Sequence, residues 1–272
     1  MSSINSSGEL MIGPTNRLMR FIPNIFTLLN LVFGCLAIIY TVQTGLILSY
    51  DSNGESLVVI PEKIYLASVC IGAAAVIDFL DGFVARLLNV PSEMGKQLDS
   101  LADVVSFGVA PGMIIYQFLR LSYAQQPDGL DVSTLWLFPA FIVPCAGAYR
   151  LARFNIDTRQ SYGFRGVPIP AAGLLIASFP LIYWYSNSAF IVSLFSNKWF
   201  WYAVIFVVSY LMVSTLPMLA MKFKNVTIKT FLPFIIIAVI GLIAAFLVKW
   251  MAVPVTFASY VVLSLFFKQN KA

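Results

Sequence analysis

The sequence predicts an all-α fold, a polytopic membrane bundle of about eight transmembrane helices. Three observations predict it. Mean hydropathy is +0.86, and 60% of the 272 residues are hydrophobic against 11% charged, a balance that a soluble domain does not carry. Eight apolar runs, at 22–49, 64–89, 97–121, 134–152, 167–185, 199–220, 230–248 and 251–267, approach or exceed the roughly 20 helical residues that span a hydrocarbon core. The basic residues gather at alternate ends of these runs. With the N-terminus inside, the inner stretches hold Arg17, Arg20, Arg86, Lys96, Arg150, Arg153, Arg159, Arg165, Lys222, Lys224, Lys229, Lys268 and Lys271, which is 13 of the 17 basic residues. The other side keeps Lys63, Arg120, Lys198 and Lys249 beside Asp51, Glu55, Glu62, Asp128 and Asp131. That asymmetry predicts cytoplasmic termini in a cell (inner) membrane.

The same placement argues against nucleic acid as a partner. The net charge is +5, but the cations cap apolar runs instead of lining an exposed polar face. Cys35, Cys70 and Cys145 are isolated in separate runs, without disulfide or zinc spacing, and read as small core hydrophobes.

Taken in order, residues 1–21 form a polar tail and juxtamembrane segment. The first run is too long for a signal-peptide core and lacks a small-residue cleavage site, so it is expected to be a retained span. It opens as IPNIFTLLNLVFG, with Pro23 expected at a first helical position and Asn24, Thr27 and Asn30 as interhelical hydrogen-bonding groups. The second run carries the small residues Ser68, Gly72 and Ala75, a stripe expected to pack against another helix, and then Asp78 and Asp81. Pro91 and Ser92 break the chain before Gly95, Asp99, Ala102, Asp103 and Ser106. Spacings of i, i+3 and i, i+4 put each pair of carboxylates on one helical face, so four acids converge at the mouth of a helical hairpin.

Left unpaired in a bilayer, four carboxylates cost about 10 kcal/mol or more. The lysines and arginines between Asp78 and Asp103 are Arg86 and Lys96 alone, too few to neutralise them. A pair of divalent cations would do it. The chain has no histidine, and an all-oxygen site selects Mg2+, Mn2+ or Ca2+ over zinc. Intramembrane acids also suit a divalent cation transporter, though here they cluster in one hairpin near one face. A purely structural acidic cluster needs more cations than the two at hand.

Further along, Arg150 and Arg153 lie i, i+3 at the end of the fourth run, where guanidinium groups can hold a phosphate or a carboxylate bidentately. Arg159 reads as a headgroup anchor. Tyr183, Trp184, Tyr185, Trp199 and Trp201 read as an interfacial aromatic belt. The last two runs are joined by Lys249 and Trp250, and the final one is short for a full crossing.

Written out, the acidic stretch is Asp78-x2-Asp81-Gly82-x2-Ala85-Arg86-x8-Gly95-x3-Asp99-x3-Asp103. This resembles the complete signature of the CDP-alcohol phosphatidyltransferase family, integral membrane enzymes that move a phosphatidyl group from a CDP-linked lipid to an alcohol and release CMP. RLARFN followed by FRGVPIPAAG, and more loosely LMVSTLPMLAMKFK at 211–224, are similar to its phosphatidylserine synthase branch. The resemblance implies a six-helix membrane domain over 22–224 followed by two C-terminal helices over 225–272, and a homodimer. It implies CDP-diacylglycerol and L-serine as substrates, with two divalent cations (Mg2+ or Mn2+, with Ca2+ an alternative) on Asp78, Asp81, Asp99 and Asp103. CDP-diacylglycerol contacts are expected from Asn24, Thr27, Asp81, Gly82, Ala85, Arg86 and Gly95, and acceptor contacts from Arg150, Arg153 and Arg165. A serine hydroxyl is a poor nucleophile at neutral pH, so a base is needed, and without histidine Asp103 is the expected one. Glycerol 3-phosphate, inositol phosphate and choline remain alternative acceptors, because the arginines suit a phosphorylated acceptor as well.

Overall fold

In the computed structural model, which describes residues 14–43, 45–50, 56–88, 92–126, 132–156, 164–186, 188–219 and 228–267, the chain is helical from Pro14. Helix α1 (Pro14–Gln43) starts before the apolar run and stops short of its end. Pro23 therefore lies well inside the helix instead of at its first position. The residues expected to finish the first span form strand β1 (Ile47–Tyr50), which pairs antiparallel with β2 (Ser56–Val59). The β-branched and aromatic residues Ile47, Tyr50, Val58 and Val59 suit a strand as well as a helix.

That hairpin reverses the chain, so α2 (Tyr65–Leu87) runs back along α1. Ser92 then caps α3 (Glu93–Asp103) by accepting a 2.9 Å hydrogen bond from the Gly95 amide. α3 continues without a break through a wide π-type stretch, Val104–Val109, into α4 (Ala110–Ala124). Helix α1 runs parallel to this unit. Ser106 Oγ donates to the Asn30 carbonyl at 3.0 Å, and Gln117 Nε2 to the Thr41 carbonyl at 2.7 Å, both across an offset of 76 residues.

The remaining helices are α5 (Ile142–Ile156), α6 (Ile169–Tyr185), α7 (Ala189–Phe195), α8 (Lys198–Val213), α9 (Ile228–Val248) and α10 (Ala252–Phe266). Two-residue strands β3 (Phe164–Arg165) and β4 (Pro217–Met218) pair across the bundle. Gly166 precedes α6 with a φ of 75° and lies against the carbonyls of Met212 and Ser214, a place and conformation open to glycine alone.

Among the described residues five stretches are long and apolar enough to cross a membrane. They are Pro23–Gln43, Glu62–Leu87, Glu93–Ala124, Thr134–Ile156 and Phe231–Phe266. A sixth follows if α7 and α8, bent by 73°, make one span. The shortfall from eight has local causes. α6 has 17 residues and α8 has 16, while the last two runs form one apolar stretch that folds back at Lys249–Met251, bringing Gly241 against Thr256. The molecule is an all-α polytopic membrane protein.

The aromatic belt also needs correction. Trp201 is fully buried, stacked on Phe118 at 4.6 Å with Nε1 donating to the Phe195 carbonyl at 2.8 Å. Tyr183 stacks on Phe195 in the same cluster, because the bend before α8 turns these rings inward; Tyr185 and Trp199 stay exposed. Arg159, Pro91, Lys222, Lys224, Lys268, Lys271, Asp51, Glu55, Asp128, Asp131 and residues 1–13 lie outside the described residues.

Candidate functional site

The acidic residues meet where α1 begins its membrane stretch, α2 ends and α3 starts. Asp78 and Asp81 occupy successive turns of α2, and Asp99 and Asp103 successive turns of α3. One carboxylate oxygen from each of Asp78, Asp99 and Asp103 lies within 4.8 Å of the others. Asp81 stands outside this triad and accepts a 2.8 Å hydrogen bond from Thr27 Oγ1. Asp103 Oδ1 is buried without a hydrogen-bond partner.

This donor set fits a hard cation. At an effective dielectric of about 20, two carboxylates this close repel by about 3–4 kcal/mol, and three such pairs form one cluster. An ion of charge +2 turns that repulsion into attraction and takes oxygen ligands by preference. The cluster can therefore hold a divalent metal.

Beside the triad opens a pocket lined by Pro23, Asn24, Thr27, Asp81, Gly82, Ala85, Ser92, Gly95, Lys96 and Asp99. Each lining group has a local cause. Asn24 and Thr27 share the inner face of α1, and Gly95 lets α3 approach them, since a Cβ there would sit 3.1 Å from Asn24 Oδ1 and 2.9 Å from Ser92 Oγ. A Cβ at Gly82 would meet nothing within 4 Å, so the space its missing side chain leaves belongs to the pocket and not to a neighbouring helix. Asp81 and Asp99 form the pocket wall nearest the triad.

Of the residues expected to contact the CDP-linked lipid, Asn24, Thr27, Asp81, Gly82, Ala85 and Gly95 share this pocket. Arg86 is exposed in the last turn of α2 and is not among the lining residues, a position where it complements the negative end of the helix. The three arginines of the expected acceptor site separate. Arg150 is buried, its guanidinium 5.8 Å from the Phe154 ring and within electrostatic reach of Asp103 and Tyr260. Arg153 Nη1 donates to the Val213 carbonyl at 3.0 Å, closing the C-terminus of α8. Arg165 is exposed on β3.

Sequence reading missed several contributors. Lys96 is the one cation among the lining residues, and its place between the acid pairs was the available signal. Asn155 Nδ2 donates to Ser100 Oγ at 2.8 Å, tying α5 to the acidic helix; nothing local foretells that pairing. Asn30, by contrast, was expected to hydrogen-bond between helices and is instead fully buried with neither polar side-chain atom partnered.

Comparison with known proteins gives a consistent pattern. Residues 20–199 match the family model described as CDP-alcohol phosphatidyltransferase. The chain is 39% identical over 165 residues to a Helicobacter pylori (strain J99) protein named CDP-diacylglycerol–serine O-phosphatidyltransferase, across 60% of this chain and 58% of that one. A Bacillus subtilis protein of the same name is 35% identical over 169 residues, covering 59% and 77%. An archaetidylserine synthase of Methanothermobacter thermautotrophicus is 31% identical over 176 residues, 63% of each chain. The match thus spans little more than half the length of the Helicobacter relative.

Proposed function

Because the chain belongs to the CDP-alcohol phosphatidyltransferase family, we propose that it transfers a phosphatidyl group from CDP-diacylglycerol to the hydroxyl of L-serine, yielding phosphatidylserine and CMP. The observation that carries this reading is the continuity of the two halves of the site. The pocket that suits a nucleotide ends on Asp81 and Asp99, and Asp99 is also a corner of the acid triad. A diphosphate entering from the pocket side reaches the one cluster among the described residues where divalent cations can meet it.

In this reading Asn24 and Thr27 hold the nucleotide side against α1, Gly82 and Ala85 leave room for it, and Lys96 faces its phosphates. Asp78, Asp99 and Asp103, with Asp81 one turn away, hold two divalent cations, Mg2+ or Mn2+. When bound, these neutralise the diphosphate and the charge developing on phosphorus. Asp103 takes the proton of the serine hydroxyl as its oxygen bonds to phosphorus. The bond from phosphorus to the CMP oxygen breaks, and CMP leaves with that electron pair. Buried Arg150, within electrostatic reach of Asp103, is the best placed of the three arginines to meet the acceptor's carboxylate. The active site faces the cytoplasm, in a homodimer of the inner membrane.

Serine as acceptor leans on the names of the relatives, including the archaeal one whose product also carries serine. Purified protein supplied with CDP-diacylglycerol and, separately, serine, glycerol 3-phosphate, inositol phosphate or choline tests it through the lipid product. Phosphatidylserine alone is expected, with activity lost in EDTA and restored by Mn2+ or Mg2+. A product from another acceptor displaces serine, and full turnover in chelator removes the metal centre. Metal flux into liposomes without CMP release instead supports the transporter reading.

A further inference from the structure

Asn30 has an environment that packing does not explain. Its side chain is fully buried, yet Oδ1 and Nδ2 both lack partners, and an unsatisfied buried amide is destabilising. Helix register places it. Thr27, Asn30, Gly34 and Ala37 form one buried stripe of α1. Thr27, one turn before Asn30, bonds Asp81, and because α2 runs antiparallel the turn that faces Asn30 is the one carrying Asp78. On its other flank the Asn30 carbonyl accepts from Ser106 Oγ. A carbonyl points forward along its helix while side chains lean back, so Asn30's own side chain is level with the turn before Ser106, which carries Asp103. Gly34 lets the helices close, since a Cβ there would lie 2.9 Å from the Ser106 Cα.

We infer that Asn30 is a further ligand residue of the acidic centre, its carboxamide oxygen binding the divalent cation that Asp78, Asp99 and Asp103 hold. The inference rests on the metal centre proposed above. Charge favours an amide here. The four carboxylates of Asp78, Asp81, Asp99 and Asp103 already balance two divalent ions, so a carboxamide completes the oxygen ligands without adding charge. When bound, the ion would partner the otherwise orphaned Oδ1.

The test is Mn2+ binding to the full chain in detergent, read from loss of the free-ion paramagnetic resonance signal and independent of turnover. Asn30→Leu, similar in volume and without an oxygen, is expected to weaken Mn2+ binding by about 10-fold or more, since removing even a group that only supports a ligand costs at least that much. Asn30→Asp, which keeps an oxygen in place but adds a charge, is expected to weaken binding less than Asn30→Leu; a merely structural asparagine would give equal losses in both variants. Wild-type affinity in Asn30→Leu, with binding lost in Asp99→Asn, overturns the Asn30 assignment alone. Wild-type affinity in Asp99→Asn as well overturns the metal centre and this inference with it.

Discussion

Asp81 and Asp103 are both buried, 6% and 7% exposed, yet their oxygens are treated differently. Asp81 is held by Thr27, whereas Asp103 Oδ1 has no hydrogen-bond donor. A carboxylate meant to accept a proton must keep a lone pair free of fixed donors, and Asp103 Oδ1 meets that condition. Asp103→Asn is therefore expected to lower turnover by at least about 100-fold, the lower bound for losing a general base. Binding of CDP-diacylglycerol, measured by equilibrium titration, should be largely retained; near-normal turnover would refute the base. Thr27→Val removes the hydroxyl that orients Asp81 and keeps its volume. Losing a hydrogen bond to a charged group costs about 1.5–3 kcal/mol, so KM for CDP-diacylglycerol should rise about tenfold or more. An unchanged KM would mean that Asp81 needs no such support.

Between elements, glycines mark where helices must touch and where they must not. The π-type stretch Val104–Val109 bulges from its helix, and its neighbours make room. A Cβ at Gly173 of α6 would lie 2.9 Å from the Phe107 Cα, a backbone contact that cannot move aside. Gly72 was expected to serve the same purpose on α2, but a Cβ there would meet nothing within 4 Å. Gly173→Ala should cost about 1–3 kcal/mol through overpacking and lower the thermal unfolding midpoint in detergent, while Gly72→Ala should leave it unchanged or slightly raised. Equal midpoints for the two variants would contradict the packing described. The contrast also shows what the sequence could carry. The spacing of Asp78, Asp81, Asp99 and Asp103 fixes two acidic faces by helical geometry alone. That Gly173 meets a backbone, which threonine meets Asp81, and that Arg153 caps α8 depend on partners 54 residues or more away, and no local pattern encodes them. The β1–β2 hairpin was hidden for another reason: in an apolar run of this length a strand and a continued helix share the same composition.

Over the whole molecule, the charge asymmetry and the site geometry make one joint claim. The pocket opens at the end of the bundle where α2 gives way to α3, and exposed Lys96 stands on its wall. The β1–β2 hairpin, whose Tyr50 is 73% exposed, joins the other ends of α1 and α2. The two features must then lie on opposite faces of the membrane, and the excess of basic residues near the pocket end predicts that this face is the cytoplasmic one. A chain with Cys35, Cys70 and Cys145 replaced by alanine can report this with one new thiol at a time. Lys96→Cys should react with a membrane-impermeant maleimide in inside-out vesicles and stay unlabelled in intact spheroplasts, while Tyr50→Cys gives the reverse. CDP-diacylglycerol added to the vesicles should slow labelling of Lys96→Cys, because the thiol sits on the pocket wall, and leave Tyr50→Cys untouched. Labelling of both thiols from one side would break the antiparallel course of α1 and α2. A clean exchange of sides would keep the fold and move the active site to the outer face, away from cytosolic nucleotide and metal.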